Sequence, residues 1–287
     1  MSSIDRVGVL GCGLMGAGIA EVCARAGRDV VVVETNRPAA DAGRLRVVRS
    51  LGRAVDAGKL SDDDRAAAIE RLTFTADRDA FHDRQLVVEA VPEVLALKIE
   101  AFEAIDKIVT GADAILASNT SSIPIMRLAW ATSRAEQVLG LHFFNPVPVL
   151  RLVEVVRSLL TGEPAALRIE EFARNVLGKE VVRSQDRAGF VVNALLIPYL
   201  LSAIRMLESG FASAADIDNG MVEGCAHPLG PLRLTDLIGL DTTVRVAESL
   251  HEEFKEPLYA PPPLLLRMVE AGLLGRKAGR RFYEYVR

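Results

Sequence analysis

Three groupings of residues in this sequence have the types and spacing to do chemistry. The first is Gly11-Cys12-Gly13-Leu14-Met15-Gly16, a G-x-G-x-x-G pattern, with Glu34 standing 18 residues beyond Gly16. Gly11 permits a tight turn, Gly13 a close backbone approach to a phosphate, and Gly16 tight packing of a helix on a strand. The start of such a helix offers unpaired N–H groups and the positive end of its dipole to an anion. A carboxylate at the position of Glu34 accepts both hydroxyls of an adenosine ribose and repels a 2′-phosphate. The second grouping is His142, inside an apolar run, with Glu154 twelve residues further on. An imidazole held at one nitrogen by a carboxylate can take a proton at the other. The third is polar: Ser118-Asn119-Thr120-Ser121-Ser122, and the acids Glu89 and Glu93, each closing an apolar run.

These groups need elements to hold them. Residues 6–10 read as a buried strand. A helix follows, with Ile19, Val22, Cys23 and Ala26 on one face and Gly27 closing it, and residues 30–33 form a second strand. In that strand–helix–strand context the glycines and Glu34 make a dinucleotide fingerprint. Gly11, Gly13, Leu14, Met15 and Gly16 then form the phosphate cradle, and Glu34 favours NAD, with Arg37 near enough to soften the preference. Further strands read over 86–91, 114–118, 138–144, 150–156 and 179–183, and helices over 38–57, 61–71, 95–108 and 163–177. Alternation of this kind predicts a doubly wound α/β sheet of Rossmann type, with ligands outside the carboxyl ends of its strands. If residues 145–149 form a tight return, the strands on either side pair antiparallel and Glu154 meets His142 across them. The bland alternative for His142 is a structural histidine in a core strand. Beyond about residue 184 the patterns are helical: 190–209, 214–224, 232–254 and 263–271. We therefore expect an NAD-binding domain over 1–184 and an all-helical domain over 185–287. The single Trp130 reads as a packing residue.

Composition removes other classes. The chain has 287 residues, 50% hydrophobic and 25% charged, with a net charge of −4. That is the composition of a folded chain with ample core, and it lacks the basic excess of a nucleic-acid binder. Cys12, Cys23 and Cys225 are too scattered for a disulfide framework or a zinc site, and no metal cluster is expected. The first residues enter a strand pattern directly, so no signal peptide is expected, and no apolar run has the length of a membrane span. A cytoplasmic setting with no membrane partner follows as the expectation.

Gly140-Leu141-His142-Phe143-Phe144-Asn145-Pro146 after Ala117-Ser118-Asn119-Thr120-Ser121-Ser122 resembles the L-3-hydroxyacyl-CoA dehydrogenase family, in particular its bacterial single-function 3-hydroxybutyryl-CoA dehydrogenases. The likeness covers essentially the whole chain. It includes Gly189-Phe190-Val191-Val192-Asn193, His227-Pro228-Leu229-Gly230-Pro231 and the tail from Arg276 to Tyr285. The resemblance implies a catalytic base at His142 with Glu154 as its carboxylate partner. It implies Ser121 as a contact to both substrate and nicotinamide, and Asn193 as a contact to the substrate carbonyl. Glu93, Lys98, Asn145 and Lys277 match cofactor positions. Ser50 aligns with a position that touches CoA, and Lys59 is a nearby cation within reach of a CoA phosphate. The implied partners are an acyl-CoA substrate and a second copy of the chain, paired through the apolar helix at 190–207. Cys12 and Arg281 depart from the family pattern, the latter where glycine is usual. The implied reaction is NAD-dependent oxidation of (S)-3-hydroxyacyl-CoA. The alternatives are a carrier-protein-bound hydroxyacyl substrate, a sugar acid, or a catalytically silent NAD-binding protein, the last opposed by the presence of His142, Glu154, Ser121 and Asn193.

Overall fold

The structure is a computed structural model that describes residues 3–275 and 282–283. The chain divides into two compact units, Met1–Arg187 and Ala188–Arg287.

The first unit is built on an eight-stranded sheet in the order β3-β2-β1-β4-β5-β6-β7-β8. In chain order its elements are β1 (Arg6–Leu10), α1 (Leu14–Arg25), β2 (Asp29–Val33), α2 (Arg37–Asp56), α3 (Asp62–Glu70), β3 (Leu72–Thr75), β4 (Leu86–Glu89), α4 (Leu95–Ile108), β5 (Ile115–Ser118), α5 (Ile125–Trp130), β6 (Val138–Phe143), β7 (Leu152–Arg157), α6 (Glu163–Glu171) and β8 (Glu180–Gln185). The six strands from β3 to β6 run parallel. They read as unbroken apolar runs because helices cover both faces of a parallel sheet. Val7, Val9, Val30, Val32, Leu86, Val88, Ile115 and Ala117 all lie in one core, and each fully buried valine or leucine contributes about 1.5–3 kcal/mol. β7 returns antiparallel to β6, with His142 opposite Glu154, and β8 runs parallel to β7.

β3 is absent from the sequence expectation. It has four residues at the sheet edge, only partly buried, with no apolar run to announce it. Trp130 departs from its expected packing role and is 81% exposed at the end of α5. The first unit ends at Arg187, a little beyond the expected 184. Asp186 still belongs to it, since its carboxylate accepts hydrogen bonds from Ile125 N and Met126 N at the start of α5, both at 2.8 Å.

The second unit contains α7 (Val192–Glu208), α8 (Ala214–Cys225), α9 (Pro231–Ile238), α10 (Leu240–Phe254) and α11 (Pro263–Glu270) around Ile197, Leu201, Ile204, Leu232, Leu240, Leu250 and Leu265. The helical run expected over 232–254 is two helices. Gly239 breaks it at φ +103°, a conformation that suits a residue without Cβ. Buried Asp218 caps α9 by accepting from Leu232 N (2.8 Å) and Arg233 N (3.1 Å), and it also accepts from Tyr283 Oη (2.7 Å). No described helix is long and apolar enough to cross a membrane.

Candidate active site

The glycine turn joins β1 to α1, and its shape follows from what a side chain would hit. Gly11 has φ +88°, and a Cβ there would lie 2.8 Å from Ala90 O. A Cβ on Gly16 would lie 1.9 Å from Gly11 O, so the helix packs on the turn only as glycine. Nothing lies within 4 Å of the Cβ position of Gly13, and α1 begins at exposed Leu14 with no side-chain cap. The turn is thus closed on its protein side and open on the other, with helical N–H groups facing out, which suits a diphosphate. Partly buried Met15 packs against the core beneath it.

Glu34, just beyond β2, reaches back to this turn. Its Oε1 accepts from Cys12 N at 2.5 Å and its Oε2 from Thr35 N at 3.2 Å. Arg37 is paired with Asp41 at 3.1 Å and 71% exposed, and Arg46 donates to Cys12 O. Cys12 is buried, and burial followed by the nearby Glu34 charge pushes its thiol up to about 12. The residues therefore fit a nicotinamide dinucleotide: a glycine cradle for phosphates and a fixed carboxylate for the adenosine ribose.

At the carboxyl ends of β4 and β5 lies a second constellation. Lys98 on α4 is 1% exposed. Its Nζ donates to Glu89 (2.7 Å) and Val91 O (3.3 Å) and pairs with Glu93 (3.3 Å). Glu93 Oε1 accepts from Thr120 Oγ1, Ser121 N (3.1 Å), Ser122 N (3.2 Å) and Ser122 Oγ (2.9 Å). Burial pushes the Glu93 carboxyl up, but Lys98 and the two hydroxyls outweigh it and hold it below its ordinary value. The expected cofactor residues Glu93 and Lys98 are thus brought together with the Ser121 loop.

One strand further, His142 Nδ1 lies 2.7 Å from Glu154 Oε2, and both side chains are buried. A carboxylate only accepts, so Nδ1 carries the hydrogen. The Phe144 ring stands edge-on to the imidazole at 4.6 Å. Asn119, unassigned from sequence, ties this strand to the polar loop, its Oδ1 accepting from Phe143 N at 2.9 Å. Asn145 is exposed in the connection to β7. Lys179 holds that connection, donating to Val147 O (2.6 Å) and Leu150 O (2.7 Å).

The remaining expected residues are dispersed. Ser50 lies on α2, near Glu21 of α1, whose carboxyl is pushed up by burial. Exposed Lys59 follows α2 and lines a cleft of about 780 Å³ with Arg25, Arg71, Arg151 and Lys179. Asn193 is the second residue of α7 in the other unit. Lys277 and Arg281 lie outside the described residues. Among the described residues no cluster of His, Cys, Asp or Glu is arranged to hold a metal.

Comparisons with known proteins cover both units of the chain. The family described as 3-hydroxyacyl-CoA dehydrogenase, NAD binding domain, matches residues 6–187, and its C-terminal domain matches residues 189–285. A 3-hydroxybutyryl-CoA dehydrogenase of Mycobacterium tuberculosis is 62% identical over 283 residues, 99% of both chains. The crystal structure of M. tuberculosis FadB2 superposes with a TM-score of 0.98 at 62% identity, covering 99% of this chain and 100% of that one. The (S)-3-hydroxybutyryl-CoA dehydrogenase PaaH1 of Ralstonia eutropha gives 0.94 at 44% identity, covering 99% and 100%. The chain belongs to the 3-hydroxyacyl-CoA dehydrogenase family and is an NAD-dependent oxidoreductase.

Proposed function

We propose that this enzyme oxidises (S)-3-hydroxyacyl-CoA, 3-hydroxybutyryl-CoA foremost, to the 3-ketoacyl-CoA, and runs the reverse reduction of acetoacetyl-CoA. The observation that carries this is the buried His142–Glu154 pair, 2.7 Å apart at the carboxyl end of β6 in an NAD-binding domain. Bound NAD supplies a hydride acceptor at its nicotinamide ring. The chain supplies the rest. Glu154 holds Nδ1–H and leaves Nε2 to take the substrate hydroxyl proton, and its negative charge stabilises the imidazolium that forms. In the reverse direction the imidazolium returns that proton to the new alkoxide. Ser121 and Asn193 are the substrate contacts, and Glu93, Lys98, Asn145 and Lys277 serve the cofactor. Placing substrate and cofactor in register supplies most of the remaining rate.

The CoA end fits the basic cleft at Lys59. Arg25, Arg71 and Arg151 line the same cleft, and a polyanionic phosphate group complements them. Ser50, on α2, is the second expected contact. Names of full-length relatives favour CoA over a carrier protein or sugar acid. In the helical unit, Leu195 is 72% and Phe211 78% exposed, which supports a homodimer through that domain. Sedimentation at twice 31.0 kDa checks this. The free Cys12, Cys23 and Cys225 suit a reducing cytoplasm, which cell fractionation tests.

The deciding experiment is NADH oxidation at about 340 nm (the absorbance band of the reduced ring) with acetoacetyl-CoA, beside NADPH and a longer 3-ketoacyl-CoA. Rapid turnover with NADH and acetoacetyl-CoA is the expected result. NADH binding with no turnover on any CoA thioester overturns the proposal.

A further inference from the structure

Glu89, the last residue of β4, has no assigned part in the reaction, yet its carboxylate is fully buried. Its Oε1 accepts from Val91 N and Lys98 Nζ, both at 2.7 Å, and its Oε2 accepts from Ser118 Oγ at 2.6 Å. Its main-chain oxygen accepts from Asn119 N at 2.9 Å. A buried carboxylate is costly unless it is paired and fully hydrogen-bonded, and this one is both. The consequence is geometric. Lys98 Nζ donates to Glu89 and Val91 O and is ion-paired with Glu93 Oε2 at 3.3 Å. Glu93, held from that side, turns its other oxygen to Thr120, Ser121 and Ser122. The circuit closes where Thr120 N donates to Ser118 Oγ at 3.2 Å, since that hydroxyl is itself bonded to Glu89. The polar loop after β5 is thus held at both ends by one carboxylate, directly through Ser118 and indirectly through Lys98 and Glu93.

We propose that Glu89 is a positioning residue for the reaction: through Lys98 and Glu93 it fixes the main chain at Ser121. Lys98 then serves the cofactor site by holding Glu93, with no contact of its own. This rests on the reading of Ser121 as a substrate and nicotinamide contact. A displacement of about 1 Å at such a contact costs up to about a hundredfold in rate. Glu89→Gln keeps the shape of the side chain but turns an amide N–H₂ or a neutral oxygen toward the Lys98 ammonium.

The test measures kcat and KM for acetoacetyl-CoA per NADH-binding site, with NADH affinity read separately by fluorescence. It compares the parent enzyme, Glu89→Gln, Ser121→Ala and the double variant. The expected result is a kcat lowered about 10- to 100-fold by Glu89→Gln. NADH affinity should stay within about threefold, and in the Ser121→Ala background the same change should cost less than about threefold. Ser118→Ala removes the 2.6 Å bond to Glu89 and the 3.2 Å bond from Thr120 N, and leaves the Lys98–Glu93 arm in place. It is the milder second variant should Glu89→Gln fail to fold, with a smaller loss that again vanishes without Ser121. An unchanged kcat, or an equal loss in both backgrounds, overturns the inference for Glu89 alone. Full turnover by Ser121→Ala on its own overturns the Ser121 reading, and this inference with it.

Discussion

The sheet holds two buried groupings of carboxylate and base, separated by strand β5 and built from opposite choices. On β6 and β7 one carboxylate, Glu154, meets one imidazole, His142, at 2.7 Å. On β4, the loop after it and α4, two carboxylates, Glu89 and Glu93, share one ammonium, Lys98. An imidazole changes charge within the working pH range and has a second nitrogen to offer a substrate. The ammonium of Lys98, buried between two carboxylates, has donors only and no second basic atom to offer. The first grouping is fitted to move a proton and the second to hold backbone in place. Burial and pairing alone therefore do not mark a catalytic group; the capacity to change charge during turnover does.

The sharpest way to break this contrast is to remove the imidazole. His142→Gln is expected to lower kcat by about 10²–10⁴-fold, the usual span of general acid–base catalysis. NADH affinity, read by fluorescence, should stay within about twofold. Near-parent turnover would place His142 among the structural groups. Glu154→Gln comes next, with a loss of about a hundredfold. Glu154 acts through the orientation of the imidazole at Nδ1, so the loss should fall on kcat, with KM for acetoacetyl-CoA within about threefold. An unchanged kcat would make Glu154 a packing residue.

The legibility of these regions in sequence differs for physical reasons. The glycine turn is local: Gly11, Gly13, Gly16 and Glu34 lie within one β-α-β unit, Gly11 and Gly16 answer steric demands that a Cβ cannot meet, and Gly13 leaves the outer side open. The pairing of His142 with Glu154 was readable because a hairpin-like return fixes register over a short span. Lys98 was matched by position but its environment was not, because its partners come from β4, the loop after it and, through Glu93, the loop after β5. No periodicity in one segment reports contacts spread over three. The edge strand β3, with four half-buried residues, was illegible because it has too little apolar surface to leave a pattern. Trp130 shows the converse failure, a large apolar residue read as core and found exposed.

The smallest effect is one read in folding and not in turnover. Glu93 sits in the folded chain below its ordinary carboxyl value, because Lys98 and the hydroxyls of Thr120 and Ser122 outweigh its burial. Its unfolded reference is about 4.3. A lowered folded value means that the stabilisation is fully present above that reference and is lost as pH falls through the folded value. Glu93→Gln removes the charge and with it this pH dependence. At neutral pH it should lower unfolding stability by about 1–3 kcal/mol, the worth of hydrogen bonds to a charged acceptor. In urea titrations from about pH 6 downward, the gap between parent and variant should hold to about pH 5, just above the unfolded reference, and then close as pH falls further. A gap of constant size across that range would mean that Glu93 acts through shape and not charge. The ammonium of Lys98 would then be balanced by Glu89 alone, and the two groupings would differ only in which residue answers the carboxylate.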